Sequence, residues 1–405
     1  MTEFKPILAS LGRHKLIASL LALLVALTCA IVCNVAFMIQ RQEALMSLPS
    51  GVAEDQLVLV QSASLDRTAN QLARHETDLA ALRMIPGVES AVAVDALPFN
   101  GNNWTSSVQT SPDAQAYALA SLFTGTRGEL GTLGLKLVAG RDFREDEYMP
   151  LDAGRGNDGI RHVPAAIITR ALAERLFPGQ NPLGKSIYPY DNPIRIVGVV
   201  EHLLRPDVDE GADNGQSILF PLLPDSNSVT YVLRTSPGER ARVMQEAADT
   251  LYHLAPDRVL RDPQTFAQMR DDYFQRQREM IGLLIASVIG LMFVTALGIT
   301  GLANFWVLQR TRTIGIRRAV GATRTDILRY FQTENFLIVT LGIALGVLLA
   351  VALNLVLMAH YQLPRLPLWY LPVGALALWL LGQFAILAPA LRASRVPPVV
   401  ATRSV

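Results

Sequence analysis

Four stretches of this chain, residues 16–39, 281–307, 336–358 and 369–390, contain no Asp, Glu, Lys or Arg. Each meets or exceeds the roughly 20 apolar residues that a helix needs to cross about 30 Å of hydrocarbon. A chain with four such stretches is constrained to fold across a bilayer, because a helix satisfies its own backbone polar groups there. Composition agrees: half of the residues are hydrophobic and 18% are charged, below the roughly 25% of a soluble protein. The first stretch exceeds the apolar region of a cleaved signal peptide, about 7–15 residues, and no small-residue cleavage site follows it. It reads as a retained anchor.

The placement of Lys and Arg sets the orientation, since basic loops near membrane ends stay in the cytoplasm. Lys5, Arg13 and Lys15 precede the first stretch. Arg310, Arg312, Arg317, Arg318, Arg324 and Arg329 lie between the second and third, and Arg392, Arg395 and Arg403 follow the fourth. All three segments fall on one side. Residues 41–279, on the other, hold 23 basic and 32 acidic side chains. Both termini are therefore expected in the cytoplasm and the large domain outside it. The overall charge of +1 conceals this asymmetry and gives no reason to expect nucleic acid as a partner.

The expected layout is an interfacial helix over 1–15, whose Phe4, Ile7, Leu8 and Leu11 recur at helical spacing, and spans at 16–39, 280–307, 336–359 and 369–390. An extracytoplasmic domain with stalk helices occupies 40–279, a cytoplasmic loop 308–335, a short outer loop 360–368 and a cytoplasmic tail 391–405. Within the large domain, residues 56–62 and 88–94 read as strands around a helix over 68–84, stopped by Pro86-Gly87. A second such unit runs through a strand at 229–234, a helix at 239–254 and a strand at 258–260. Between them lies a region rich in Gly, Pro, Asn and Asp, with strands at 163–169 and 194–200 and a helix at 170–177. The predicted class is a membrane protein of four transmembrane α-helices, with a large α+β extracytoplasmic domain between helices 1 and 2. That domain is two βαβ units with an inserted subdomain. Residues 263–279 read as a polar helix running straight into the second span, and 40–46 leave the first in the same way, the outline of a stalk.

Cys29 and Cys33 lie one turn apart in the first span, where their side chains do not point at each other, so a disulfide is not expected. The match G-Q-N-P-L-G-K-S at 179–186 satisfies a phosphate-loop pattern, but a helix precedes it and strand and turn follow. Phosphate cradling needs the reverse order, so the segment reads as a turn. The six histidines show no paired metal spacing, and no G-x-S-x-G elbow is present. Acidic groups cluster at Asp142, Glu145, Asp146 and Glu147, and at Asp207, Asp209, Glu210 and Asp213. They read as solvated loops, with a cation or a basic partner as the alternative. The absence of charged residues from the spans argues against a proton or ion relay.

Residues 310–334, R-T-R-T-I-G-I-R-R-A-V-G-A-T-R-T-D-I-L-R-Y-F-Q-T-E, resemble the cytoplasmic loop of FtsX-like permeases of the MacB type. L-G-L-K-L-V-A-G-R-D-F (133–143), A-L-A-E-R-L-F-P-G-Q-N-P-L-G-K-S-I (171–187) and I-V-G-V-V (196–200) look like the family's periplasmic core domain. P-A-L-R-A-S-R-V-P-P-V-V-A (389–401) is similar to the family's usual ending. The resemblance implies the permease subunit of an ABC transporter in the inner membrane, itself not an enzyme. It carries no cofactor, because ATP and Mg are bound by a separate cytoplasmic ATPase. The implied partners are that ATPase, a second permease copy or paralogue, a periplasmic adaptor and the bilayer. In such permeases the loop between spans 2 and 3 seats a coupling helix on the ATPase, which puts Ile314, Gly315, Ile316, Arg317, Arg318, Gly321, Ala322 and Thr323 at that contact. Small residues permit close approach, the isoleucines give apolar contact and the arginines pair with carboxylates. The chain departs at Thr313, where the family more often has Glu, which leaves open the pairing an acid would make. Export is the leading implied activity. The alternatives are force transmission to a periplasmic enzyme or sensor without transport, and a membrane-anchored binding protein without an ATPase.

Overall fold

The computed structural model describes residues 15–64, 70–114, 117–151, 162–190, 192–209, 211, 213–361 and 365–395. The interfacial helix expected over 1–15 falls, apart from residue 15, outside the described residues, as does the chain beyond 395. The fold divides into two compact units, Met1–Ala44 with Gln277–Val405, and Leu45–Arg276. The first helix, α1 (Lys15–Met46), has 32 residues and is about 48 Å long at 1.5 Å per residue.

The α/β unit begins with β1 (Leu57–Ser64), α2 (Gln71–Arg83) and β2 (Val88–Val94). Asn70 caps α2 by accepting the Ala73 N–H at 3.2 Å, satisfying one of the donors a helix start leaves free. The middle of the unit carries β3 (Thr105–Val108), β4 (Ala118–Thr124), α3 (Glu129–Leu133), β5 (Leu137–Gly140) and β6 (Met149–Pro150). There follow β7 (Ala165–Thr169), α4 (Arg170–Leu176), β8 (Ser186–Ile187), β9 (Ile194–Val200), β10 (Ser217–Phe220) and β11 (Leu222–Leu223). The unit closes with β12 (Ser228–Thr235), α5 (Arg240–Leu254), β13 (Arg258–Leu260), β14 (Gln264–Thr265) and α6 (Phe266–Tyr273).

The first sheet has the order β13-β1-β12-β2, with β14 also on β1. β1 is antiparallel to β12 (Val60 opposite Tyr231), and β12 is antiparallel to β2 (Val232 opposite Val92). Each βαβ half therefore has a strand of the other between its own two strands. The two halves expected from the sequence interleave into one split βαβ sheet instead of standing side by side. Both faces are covered. Val58, Val60, Tyr231 and Leu233 meet Leu79, Leu82, Val243 and Leu251 of the two helices. Leu57, Leu59, Val92 and Val232 meet Phe99, Phe266 and Leu130 on the other side. Burial on both faces explains why β1 reads L-V-L-V rather than alternating with polar residues.

The inserted subdomain is a second sheet, β3-β4-β10-β7-β9-β5, with β8 on β9. β7 and β9 are parallel neighbours across α4, and Ile168, Ile196, Ile218, Phe220 and Leu172 form its core. The phosphate-loop look-alike is a turn here. The Gly184 N–H donates to the Ile196 carbonyl at 2.9 Å, that of Lys185 to the Pro182 carbonyl at 3.1 Å, and that of Leu183 to Asn181 Oδ1 at 3.1 Å. Those amides are consumed internally. Each acidic cluster has a carboxylate engaged within the fold: Glu147 pairs with Arg141, and Asp209 accepts from Arg205 at 2.9 Å and from the Gly211 N–H at 2.8 Å.

One buried acid stands apart. Glu129, at the start of α3, is 2% exposed, and its Oε1 has no hydrogen-bond partner. Burial, reinforced by nearby Asp142, pushes its carboxyl up to about 8. Between the ordinary range near 4.5 and about 8, the unfolded chain sheds this proton while the folded chain keeps it. Stability therefore falls as pH rises through that window and levels off above it. Glu129→Gln is expected to flatten this slope and to stabilise the α/β unit by about 2–5 kcal/mol at pH 9. Thermal melts of the full chain from pH 5 to 9 provide the check, and equal slopes in both proteins would count against it.

Of residues 263–279, the helix expected there begins only at Phe266, after β14, and is not continuous. Thr265 and Gln268 form a capping box that starts α6, and the helix ends at Phe274. Phe274 turns into the core, 5.3 Å from the Phe99 ring centroid, and a new helix, α7 (Gln275–Ala319), begins after it. Next come α8 (Arg324–Tyr361) and α9 (Tyr370–Ser394). α1, α7, α8 and α9 are long and apolar enough to cross a membrane. α1 lays a face of small residues against α8 and α9. An ideal Cβ on Gly342 would lie 2.8 Å from the Ala22 carbonyl oxygen, one on Gly346 2.5 Å from Cys29 Cβ, and one on Gly374 2.5 Å from Cys33 Sγ. Such close backbone approach is what small-residue spacing provides in a bilayer. Cys29 and Cys33 are free, buried members of this seam. Thr28 and Thr295 join α1 to α7 through a 2.8 Å contact between their hydroxyls, and Asn34 Nδ2 donates to the Ala350 carbonyl at 3.1 Å.

Candidate functional site

The basic segment 310–334 is a corner made by the ends of two long helices, not a separate helix. α7 runs on to Ala319 and α8 starts at Arg324, leaving a four-residue turn. Gly321 stands at φ 108, left-handed backbone that glycine adopts without a Cβ clash. The Ala322 N–H donates to the Arg317 carbonyl at 3.0 Å and the Gly321 N–H to that of Arg318 at 3.2 Å. This pair of bonds is the Schellman ending of a helix. Two residues on, Thr323 and Asp326 satisfy each other's backbone. The Thr323 N–H donates to Asp326 Oδ2 at 2.9 Å and the Asp326 N–H to Thr323 Oγ1 at 3.2 Å. That is a capping box with aspartate in the third position. Both helix ends at the turn are thus closed by local bonds.

Ion pairing and ring contacts hold the two arms together. Arg310 Nη1 donates to both Glu334 oxygens, at 3.0 and 2.9 Å, and Glu334 is 1% exposed. The Arg317 guanidinium lies 4.6 Å from the Tyr330 ring centroid, and Arg318 donates to the Ser394 carbonyl at 3.2 Å, tying in α9.

The eight residues expected at the contact divide by exposure. Ile314 and Gly315 are buried, Ile314 packing with Ile327, Phe331, Ala390 and Ala393. Ile316 is 50% exposed, Arg317, Gly321 and Thr323 are exposed, and Arg318 and Ala322 are half-buried. The apolar contact assigned to both isoleucines is therefore open at Ile316 alone of the two. Gly321 serves the turn, since an ideal Cβ there meets nothing within 4 Å. Thr313 is exposed. Sequence reasoning passed over Val320, which at 85% exposure is the most prominent apolar side chain of the corner and lies one helical turn beyond Ile316. It also passed over the T-x-x-D spacing that marks the start of α8. Arg312, Arg317, Arg324 and Arg329 of the same corner are exposed as well. Chemically, the corner offers exposed apolar side chains and guanidinium groups to a surface with a cleft and carboxylates.

Four long apolar helices, with an α/β domain between the first and second and a capped basic corner between the second and third, define a multi-pass membrane protein. A family model for the MacB-like periplasmic core domain matches residues 19–258, and one for the FtsX-like permease C-terminal region matches 285–398, which includes the corner. The chain belongs to the MacB/FtsX-type family of ABC transporter permeases. Among curated relatives it is 27% identical to the macrolide export ATP-binding/permease protein MacB of Pasteurella multocida (strain Pm70), over 81% of this chain and 48% of that protein. It is 29% identical to the MacB protein of Bartonella henselae, over 67% of this chain and 40% of that one. The chain thus spans less than half the length of these relatives. The crystal structure of the periplasmic region of MacB from Actinobacillus actinomycetemcomitans is 16% identical, with a TM-score of 0.33, covering 58% of this chain and 98% of that one.

Proposed function

We propose that this chain is the transmembrane subunit of an inner-membrane ABC export system, and that a cytoplasmic ABC ATPase seats on the corner between α7 and α8. The observation that carries the reading is the corner itself. Its Gly321 ending and Thr323–Asp326 cap make a stiff turn that presents Ile316 and Val320 outward among arginines. ATP and Mg belong to the ATPase. Lys and Arg placement supports a cytoplasmic corner and termini and an α/β unit in the periplasm. The chain's likeness to macrolide export proteins supports export as the output. Two such permease chains with two ATPases complete the assembly, to which a periplasmic adaptor adds a further partner.

In this scheme nucleotide-driven closure of the ATPases displaces the corner as a rigid body, because both helix ends are capped and the Arg310–Glu334 pair ties the arms. The displacement travels along α7, whose 45 residues extend roughly 68 Å. α7 is continuous in sequence, through Phe274, with α6.

Burying Ile316 and Val320 in a partner cleft is worth about 1.5–3 kcal/mol each. Ile316→Asp/Val320→Asp is therefore expected to reduce permease-stimulated ATP hydrolysis, and recovery of the co-purifying ATPase in mild detergent, at least about tenfold. Gly321→Asn, which tolerates left-handed backbone, should retain most of both. Undiminished stimulation in the double variant would remove the corner as the docking site.

A further inference from the structure

A cavity of about 520 Å³ lies in the α/β unit, lined by β1, β12, the 95–102 loop and α6. Its size is that of a site for a small organic ligand. Leu59, Val229, Phe99 and Met269 supply apolar wall. Phe99 is held at φ 68, its ring against those of Phe266, Tyr273 and Phe274.

Three carboxylates, Asp95, Asp262 and Asp272, face the same cavity, with Arg261 as the one guanidinium among the described residues that line it. Among the described residues none of the three takes part in a salt bridge or a side-chain hydrogen bond. By contrast, Asp78 is partnered by Arg258 and Glu54 by Arg270 in the same unit. Asp95 is half-buried, and burial holds its carboxyl above the usual range, the mark of a charge withdrawn from water without compensation. Like charges around one partly desolvated space favour a positive occupant. A bare metal ion does not fit, since it needs ligands converging to about 2–2.6 Å and no group of three or more potential ligand side chains comes together among the described residues. Dispersed carboxylates over an apolar wall match a cation with an organic body.

We propose that this cavity binds an organic cation, an amine or quaternary ammonium carrying an aromatic or aliphatic body, with its charge at Asp95 and its apolar part against Phe99 and Met269. Asp262 and Asp272 add longer-range attraction, and Arg261 opposes it. The proposal is independent of ATPase docking on the corner.

The test uses the full chain in nanodiscs of zwitterionic phosphatidylcholine, with ethidium, a fluorescent aromatic cation, as probe and the anion fluorescein as comparison. Saturable ethidium binding by fluorescence anisotropy is expected, weakened about tenfold by Asp95→Asn and severalfold by Asp262→Asn/Asp272→Asn, and strengthened by Arg261→Gln. Fluorescein should not bind. Asp95→Asn removes an uncompensated charge, so its melting temperature should not fall. If it nevertheless misfolds, the exposed pair Asp262→Asn/Asp272→Asn decides the matter. Absence of saturable ethidium binding, or wild-type affinity in Asp95→Asn or in the exposed pair, overturns the proposal.

Discussion

Gly346→Leu is expected to prevent assembly of the helical unit. Even an alanine Cβ at this position would stand 2.5 Å from Cys29 Cβ and 2.8 Å from the Ala26 carbonyl oxygen. The neighbours are helix backbone and a short side chain without rotamer freedom to spare, so α1 would have to move away from α8. Doing so separates Ala22, Val25 and Cys29 from Ile343 and Ala350, the contacts that define this core. Overpacking usually costs about 1–3 kcal/mol, and the cost here lies at or beyond the upper end because no side chain can give way. The measurement is the yield of monodisperse protein in mild detergent and its melting temperature. Gly290→Leu in α7 is the control, since a Cβ at Gly290 meets nothing within 4 Å. Equal yield and stability for the two variants would show that the seam does not hold the unit together.

The second large effect lies in the α/β unit. Arg258 and Asp78 form a two-bond ion pair at 2.8 and 2.9 Å, with both side chains 2% exposed. The Tyr231 hydroxyl donates to the same carboxylate at 2.6 Å, and His75 Nδ1 lies 2.9 Å from that hydroxyl. The group joins α2, β12 and β13, elements far apart in the chain. Arg258→Met leaves Asp78 charged, buried and without its counter-ion, and should destabilise the unit by about 3–5 kcal/mol. For a unit of this size that is a fall of roughly 6–20 °C in melting temperature. Asp78→Leu/Arg258→Met removes both charges and should lose much less than the single variant. A double-mutant cycle reads the coupling, and additive losses would mean that the pair is not the linchpin.

Much of this architecture was legible along the chain. The four spans stand out because a charge inside hydrocarbon is costly, so its absence over twenty residues is a strong local signal. The helices and strands of the two βαβ halves were also readable, since Pro86-Gly87 acts on its immediate neighbours, although the first helix starts at Gln71, after its Asn70 cap, and not at 68. The interleaving of the halves was not readable. Period-two patterning tells which face of a strand is apolar, not which strand lies beside it, and here the partner of β1 lies beyond the whole inserted subdomain. The break at Phe274 was missed for a related reason: polar helical sequence flanks it, and the cause is a ring pocket around Phe99 built by distant residues.

The candidate site shows the same division on a smaller scale. Ile314 and Ile316 looked equivalent in sequence, yet positions two apart on a helix point about 200° away from each other. One therefore had to face inward, and the turns of α8 and α9 behind it decided that this was Ile314. Gly321 was noticed for its small size, whereas its role is conformational.

What the sequence by itself determined is the membrane class, the order of spans and domain, the basic loop and the family resemblance. These rest on hydrophobicity, charge and capping, which act between neighbours along the chain. Only the tertiary structure decided how the two βαβ halves share one sheet, which side of the corner is open, which glycines admit a second helix, and which carboxylates gather around one cavity. Those are choices of partner through space, and the free energy of close contact and ion pairing that makes them depends on residues hundreds of positions apart, as with Cys29 and Gly346.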